Sequence, residues 1–165
     1  MKRRRLQNGM YLMVDDEDAH WLDRHRWHIN KKHTTCYAQT RVYANGGRSK
    51  MMRLHRVIMN APDGLDVDHI NGNGLDNRRC NLRLATRSQN AANAKRHRDN
   101  ASSRYKGLLY TSRLRKPWQA VVCVKGVHYR SLRFAKEIDA ARAYDELARR
   151  FNGEFARCNF KSAGA

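Results

Sequence analysis

The spacing of apolar positions divides the chain into a mixed leading stretch, a compact strand–loop–strand–helix segment and a tail of three strands and a helix. In the first 60 residues, Met10–Val14 reads as a short strand. Asp15-Asp16-Glu17-Asp18 then opens a helix, with its carboxylates where the positive end of a helix dipole favours them. Trp27–Asn30 and Thr35–Tyr43 read as strands, Ala44-Asn45-Gly46-Gly47 as a turn, and Leu54, Val57 and Ile58 mark a short amphipathic helix. His55 lies inside that helix and reads as a packed structural histidine. Further on, Val67–Asn73 is a strand running into a turn, Leu75–Cys80 a polar excursion and Asn81–Ala85 a second strand. Thr86-Arg87-Ser88-Gln89 has the form of a capping box, so a helix is expected from there through Asn90 and Asn93 to about Arg96.

From Tyr105 the pattern changes. Gly107–Tyr110 is a first strand, and Trp118, Ala120, Val122 and Val124 alternate with polar or smaller neighbours in a half-buried second. Lys125-Gly126 begins a turn, His128–Phe134 is a third strand, and Lys136–Arg150 is helical. Its apolar stripe is Ile138, Ala141, Tyr144 and Ala148, with Gly153 as the stop. Three antiparallel strands backed by one helix leave the other sheet face free, and such a ribbon can enter a major groove. Lys95–Arg104, polar and without a large apolar residue, separates this tail from what precedes it.

Charge sharpens the picture. Lys and Arg number 34 against 15 Asp and Glu, a net +19 on 165 residues, which points to a polyanionic partner, nucleic acid above all. The charge is uneven: residues 1–60 carry 13 basic and 5 acidic groups, residues 61–100 carry 7 and 5, and residues 101–165 carry 14 and 5. A near-neutral middle between two basic flanks suits a site that must hold a metal cation beside DNA. No apolar run approaches the roughly 18 residues of a membrane span, and Met-Lys-Arg-Arg-Arg is followed by no apolar stretch of a secretory signal, so a cytoplasmic protein with no membrane partner is expected. Cys36, Cys80, Cys123 and Cys158 form no Cys-x-x-Cys pair, which argues for unpaired thiols over zinc or disulfides. The cluster Asp15–Asp18 lacks the alternating spacing and glycine of a calcium loop.

Phosphodiester cleavage needs a base for water, a cation for the leaving oxygen and fixed geometry. In the middle segment His69 can be the base, and Asp68 beside it offers a hard oxygen. Adjacent strand residues point to opposite faces, so the two can serve different partners. Asn90, early on the following helix, can bring an amide oxygen. One carboxylate and one amide oxygen suit Mg²⁺ or a similar hard ion that keeps waters.

Asp68-His69-Ile70-Asn71-Gly72-Asn73, Asp76-Asn77-Arg78, Asn81-Leu82-Arg83 and Gln89-Asn90, with Asn81 twelve and Asn90 twenty-one residues after His69, resemble the HNH (ββα-metal) nuclease motif of phage and intron-encoded homing endonucleases. Val14–Asp18 through Trp27, and His55-Arg56, look like the leader of phage proteins of that kind. The resemblance implies His69 as general base, Asp68 and Asn90 as ligands of one Mg²⁺ or Mn²⁺ per active site, and Asn81 as the residue that braces the loop and orients the histidine. It also implies 5′-phosphate and 3′-hydroxyl products. Arg83 and Arg87 are candidates for holding phosphates, with plain solvated surface as the alternative.

The tail resembles the AP-two/ethylene-response-factor DNA-binding domain over about residues 103–160, through Tyr105-Lys106-Gly107, Trp118-x-Ala120, Phe134, Ala140-Ala141-x-Ala143-Tyr144-Asp145, Gly153 and Asn159-Phe160. That likeness implies a DNA face made by Lys106, Arg113, Arg115, Lys125, His128 and Arg130. Ser131-Leu132 replaces the family's Leu-Gly, and Val121 and Cys123 stand where family arginines fall, so DNA contact is expected but no particular base code.

The expected protein is α+β. An HNH nuclease domain covers residues 1–98 with its ββα-metal core at about 65–98, a linker covers 99–104, and a three-stranded antiparallel sheet packed on one helix covers 105–165. The function expected is a metal-dependent endonuclease that nicks or cuts double-stranded DNA near a site held by its tail, acting as a monomer. A non-catalytic DNA-binding regulator is the first rival and an RNA-binding protein the second.

Overall fold

In a computed structural model of the chain, residues 1–6, 9–32, 35–43, 49–96 and 102–160 are described. The expected turn at Ala44–Gly47 and the centre of the expected linker, residues 97–101, lie outside them. The chain forms two compact units, Met1–Arg87 and Ser88–Ala165.

The first unit is built from short elements. β1 (Lys2–Arg5) pairs antiparallel with β2 (Tyr11–Val14), and a 3-10 turn at Asp16–Asp18 leads into α1 (Ala19–Arg24). β3 (His28–Lys32), β4 (Thr35–Tyr43) and β5 (Ser49–Arg53) form an antiparallel sheet in chain order, and α2 (Leu54–Ile58) follows directly. β6 (Asp66–His69) and β7 (Leu82–Ala85) make a two-stranded antiparallel hairpin, with His69 opposite Leu82 and Asp68 opposite Arg83. α3 (Arg87–Asn93) starts at the last residue of this unit.

Two strands, β1 and β5, carry no hydrophobic alternation. β1 is four cations; the Arg4 guanidinium donates to the Leu22 carbonyl and pairs with Asp23, and Arg3 lies over the Tyr11 ring. β5 is pinned mainly by its backbone ladder to β4, with Met52 alone partly buried against the core. The core lies between the elements: Leu12 and Val14, Leu22, Trp27, Ala38, Leu54 and Ile58, Val67, Leu75 and Leu82 form one cluster. The acidic run at the helix start acts as a clamp. Asp18 is buried and accepts from Arg79 Nε and Nη2 at 2.8 and 2.9 Å, while the Asp15 carboxylate takes the Arg79 N–H at 2.8 Å.

In the second unit β8 (Leu108–Tyr110), β9 (Trp118–Val124) and β10 (Val127–Phe134) form an antiparallel sheet in the order β10-β9-β8, and α4 (Glu137–Asn152) packs on it. Ala120 and Val122 meet Tyr144 and Ala148 of the helix, and Tyr129 stacks on Phe151 with ring centroids 4.0 Å apart. Ile138 does not join this stripe: it is exposed, and the smaller Ala140 and Ala141 face the sheet in its place, so the helix lies closer than a stripe of large side chains allows. The buried Asp145 carboxylate ties the end of the chain by accepting from the N–H groups of Asn159 and Phe160 at 2.7 and 2.9 Å.

The compact units divide at Arg87, so α3 is counted with the second. The Lys106 ammonium donates to the carbonyls of Ala92 and Ala94, and Ser88 Oγ accepts from the Lys125 N–H at 3.2 Å. The helix ends at Asn93 where those carbonyls are taken up, short of the expected Arg96. The four cysteines are free.

Gly107 has φ +74°, and a Cβ there falls inside the Tyr144 ring. Gly107→Ala combines backbone strain with a clash in a packed core, and its expected effect is a loss of about 3 kcal/mol from the second unit, read as a fall in its thermal midpoint. A second expectation concerns acid. Burial pushes His55 down to about 3 and lowers His69 as well, whereas an unfolded histidine titrates near about 6.5. The unfolded chain therefore binds protons that the folded chain refuses. Stability from these groups is full above about pH 6.5 and falls as the pH drops toward the folded values. The melting temperature is expected to fall between pH 7 and pH 4, and more gently in His55→Phe.

Candidate active site

The hairpin β6–β7 sorts the two central side chains onto opposite faces. Asp68, 4% exposed, turns to the face of its cross-strand partner, and Arg83 Nε and Nη2 donate to Asp68 Oδ2 at 2.9 and 2.8 Å. His69, also 4% exposed, turns the other way, with the core residue Leu82 opposite it. Arg83, expected as a phosphate contact, thus spends its guanidinium on the Asp68 carboxylate; its side chain is only 13% exposed.

Between the strands the chain makes a polar loop whose amides and carboxylates satisfy one another. The Gly72 N–H donates to the His69 carbonyl at 2.7 Å, and the Asn71 and Asn73 side-chain oxygens accept from the Asn73 and Leu75 N–H groups. Asp76, 1% exposed, accepts from Arg78 Nε and Nη2 at 2.7 Å each and from Asn71 Nδ2 at 2.9 Å, and its carboxyl is held below the ordinary range chiefly by the Arg78 hydrogen bonds. Asn81 spans the loop: its Oδ1 accepts from the Asn71 N–H at 3.0 Å and its Nδ2 donates to the Asp76 carbonyl at 2.8 Å. These two hydrogen bonds brace the loop. The side chain that meets His69, however, is that of Asn77, whose Oδ1 lies 3.3 Å from His69 Nε2.

Asn77 is fully buried, and its Nδ2 has no hydrogen-bond partner. Two rings from outside the hairpin complete the surroundings of His69. The centroid of His55 lies 5.1 Å from that of His69 and the centroid of Tyr37 5.8 Å. None of these three is a site residue in the sequence reading. Asn77 stands within its quoted Asp-Asn-Arg, but nothing in spacing separates it from Asn71 and Asn73. Burial is the main cause of the lowered His69 value, against the raising effects of the Asn77 hydrogen bond and of Asp68 and Asp76. The imidazole is therefore neutral at ordinary pH.

Asn90 lies on α3, counted with the second unit, and Arg87 is exposed at the start of that helix. Among the described residues no group of three or more His, Cys, Asp or Glu could hold a metal. A closed cage of the zinc kind does not fit. A single buried carboxylate beside the histidine fits a hard divalent ion that completes its shell with water and phosphate oxygens.

In the second unit, cross-strand pairing puts His128 opposite Cys123 and Arg130 opposite Val121, on the sheet face away from α4. Both are exposed, as are Arg113 and Arg115 in the β8–β9 loop and Lys125 in the β9–β10 turn. Arg133, opposite Gln119, joins this face beyond a bulge, a position the alternation of β10 does not reveal. Lys106 does not belong with them. Its ammonium is bound to the two α3 carbonyls, and burial pulls it down to about 8.

Comparison with known proteins agrees with the hairpin. A family model described as HNH endonuclease matches residues 53–92. An uncharacterized HNH endonuclease of Acanthamoeba polyphaga mimivirus is 35% identical over 114 residues, covering 66% of this chain and 57% of that protein. Protein 3.8 of Escherichia phage T7 is 33% identical over 96 residues, 58% of this chain and 77% of that protein. The chain thus spans little more than half the length of the mimivirus relative but most of the phage one. No solved structure matches significantly. The family match ends at residue 92, so the likeness of the tail to AP-two domains rests on its residues alone. With a buried histidine, its aspartate and an asparagine-braced loop inside the matched segment, the chain carries an HNH endonuclease domain over residues 53–92.

Proposed function

We propose that the chain is a metal-dependent DNA endonuclease of the homing type, which nicks or cuts double-stranded DNA near a site bound by its second unit. The observation that carries this is the pairing of a neutral, buried His69 with Asp68 on opposite faces of one hairpin. The Asn77 amide oxygen accepts a hydrogen bond, so the imidazole proton belongs on Nε2 and the basic lone pair on Nδ1. That nitrogen takes the proton of the attacking water. Asn81 keeps the loop closed and so keeps Asn77 under the ring. Asp68 is the metal ligand of the hairpin, its carboxylate oriented by Arg83, and Asn90 is the ligand the motif assigns to the helix. When bound, Mg²⁺ or Mn²⁺ supplies charge to stabilise the leaving oxygen.

A one-metal hydrolytic site contacts phosphate and carries little sequence information, so the address must come from elsewhere. The exposed sheet face of the second unit, with Arg113, Arg115, Lys125, His128, Arg130 and Arg133, has the chemistry of a DNA contact surface. Lys106 is left out of it for the reason given above.

His69→Ala is expected to lower single-turnover plasmid cleavage roughly 10²-fold or more while DNA binding survives, and EDTA is expected to abolish cleavage by the unaltered chain. Tight binding without Mg²⁺- or Mn²⁺-dependent cleavage would support a non-catalytic regulator instead. Arg115→Ala with Arg130→Ala removes two phosphate contacts and should reduce the slope of log K against log salt by about 2. An unchanged slope in a salt titration would place the DNA on another surface.

A further inference from the structure

We propose that Tyr37 and His55 are positioning residues that hold the His69 imidazole in one orientation, so that the sheet of the first unit forms a wall of the active site. The inference rests on His69 being the base.

Three rings pack in a closed triangle. His55 and His69 lie with centroids 5.1 Å apart and planes at 82°, edge to face. Tyr37 lies 5.4 Å from His55 and 5.8 Å from His69, at 59° and 52°. These are the separations and tilts at which aromatic pairs attract. The hydrogen bond to Asn77 is long, at 3.3 Å, and a ring turns most easily about its outer torsion. Rings on its flanks remove that freedom.

His55 is an expensive way merely to fill space. It is 5% exposed, and its Nδ1 has no hydrogen-bond partner. A buried polar atom left unpaired costs stability that an apolar side chain of similar size does not. What the ring does at this position is stand edge to face on the base.

Tyr37 is itself fixed from behind. It lies on β4, opposite Asn30, and a Cβ on Gly74 would stand 2.8 and 2.9 Å from its Cδ1 and Cε1. The Gly74 N–H donates to Thr35 Oγ1 at 3.2 Å, two residues before Tyr37 on the same strand. Glycine at 74 lets the catalytic loop press directly on the tyrosine ring. The residue is outside the segment matched by the family model, and no motif spacing points to it.

The test uses the full chain, supercoiled plasmid DNA with Mg²⁺, and four variants: Tyr37→Phe, Tyr37→Met, His55→Phe and His55→Met. Methionine fills the volume without a planar ring. The two methionine variants are expected to lose 10- to 100-fold in single-turnover rate with DNA affinity unchanged, and each phenylalanine to restore most of that loss. Nitrogen NMR of the His69 ring is expected to show the single Nε2–H tautomer in the unaltered and phenylalanine chains and a tautomer mixture in the methionine ones. Unchanged rates, a loss confined to affinity or an unaltered His69 spectrum in the methionine variants would overturn the proposal. If His69→Ala cleaves as well as the unaltered chain, the nuclease reading fails instead, and the NMR comparison still decides whether the two rings position His69.

Discussion

Everything in the first unit turns on burying a polar loop. Between His69 and Leu82 the chain carries four asparagines and an aspartate, and Asp76, Asn77 and Asn81 are buried with hardly any exposure. Such groups are tolerated out of water only when their hydrogen bonds are made inside. The loop makes most of them itself, and the rest come from afar: Met13 on β2 exchanges backbone hydrogen bonds with Leu75 and Asn77, and Asp15 and Asp18 hold Arg79. A hairpin of two four-residue strands has no core of its own. The preceding elements form the walls that let it hold a histidine out of water, and a neutral imidazole at ordinary pH follows from that burial.

This explains what the sequence made legible. The hairpin, α4 and the three-stranded sheet are visible because alternation and helical spacing report burial on one face. The motif residues are visible because their chemistry is distinctive. β1 and β5 escape such reading: β1 is all cations and β5 has two adjacent methionines without alternation, so both are set mainly by backbone ladders. Ile138 escapes for a related reason, since periodicity marks which residues could face the sheet but not which sizes the space admits. Lys106 looks like any surface cation until the α3 carbonyls are placed beside it. Tyr37 meets His69 only through a contact between segments far apart in the chain, and a single sequence does not record that.

The charge distribution acquires a structural meaning. Three arginines of the near-neutral middle sit against carboxylates: Arg78 against Asp76, Arg83 against Asp68, and Arg79 against Asp18 and Glu17 of the leading stretch. These arginines organise the site and are spent there. The long-range attraction for a polyanion then falls to the flanks, where cations such as Arg113, Arg115 and Arg130 are solvent-facing. Treating every arginine as a phosphate contact confuses the two classes; the carboxylates beside Arg78, Arg79 and Arg83 separate them.

The Arg83–Asp68 pair shows how the division serves chemistry. A carboxylate on a strand can rotate about two torsions. Arg83, directly across the ladder, meets Asp68 Oδ2 through two nitrogens and restricts that rotation. The same register puts His69 on the other face, where Asn77 Oδ1 lies 3.3 Å from its Nε2. A shift of one residue in pairing would send both side chains to the wrong faces. The polar loop, with Asn81 bridging its two ends, is what pins that register, so the brace and the chemistry are one constraint seen from two sides.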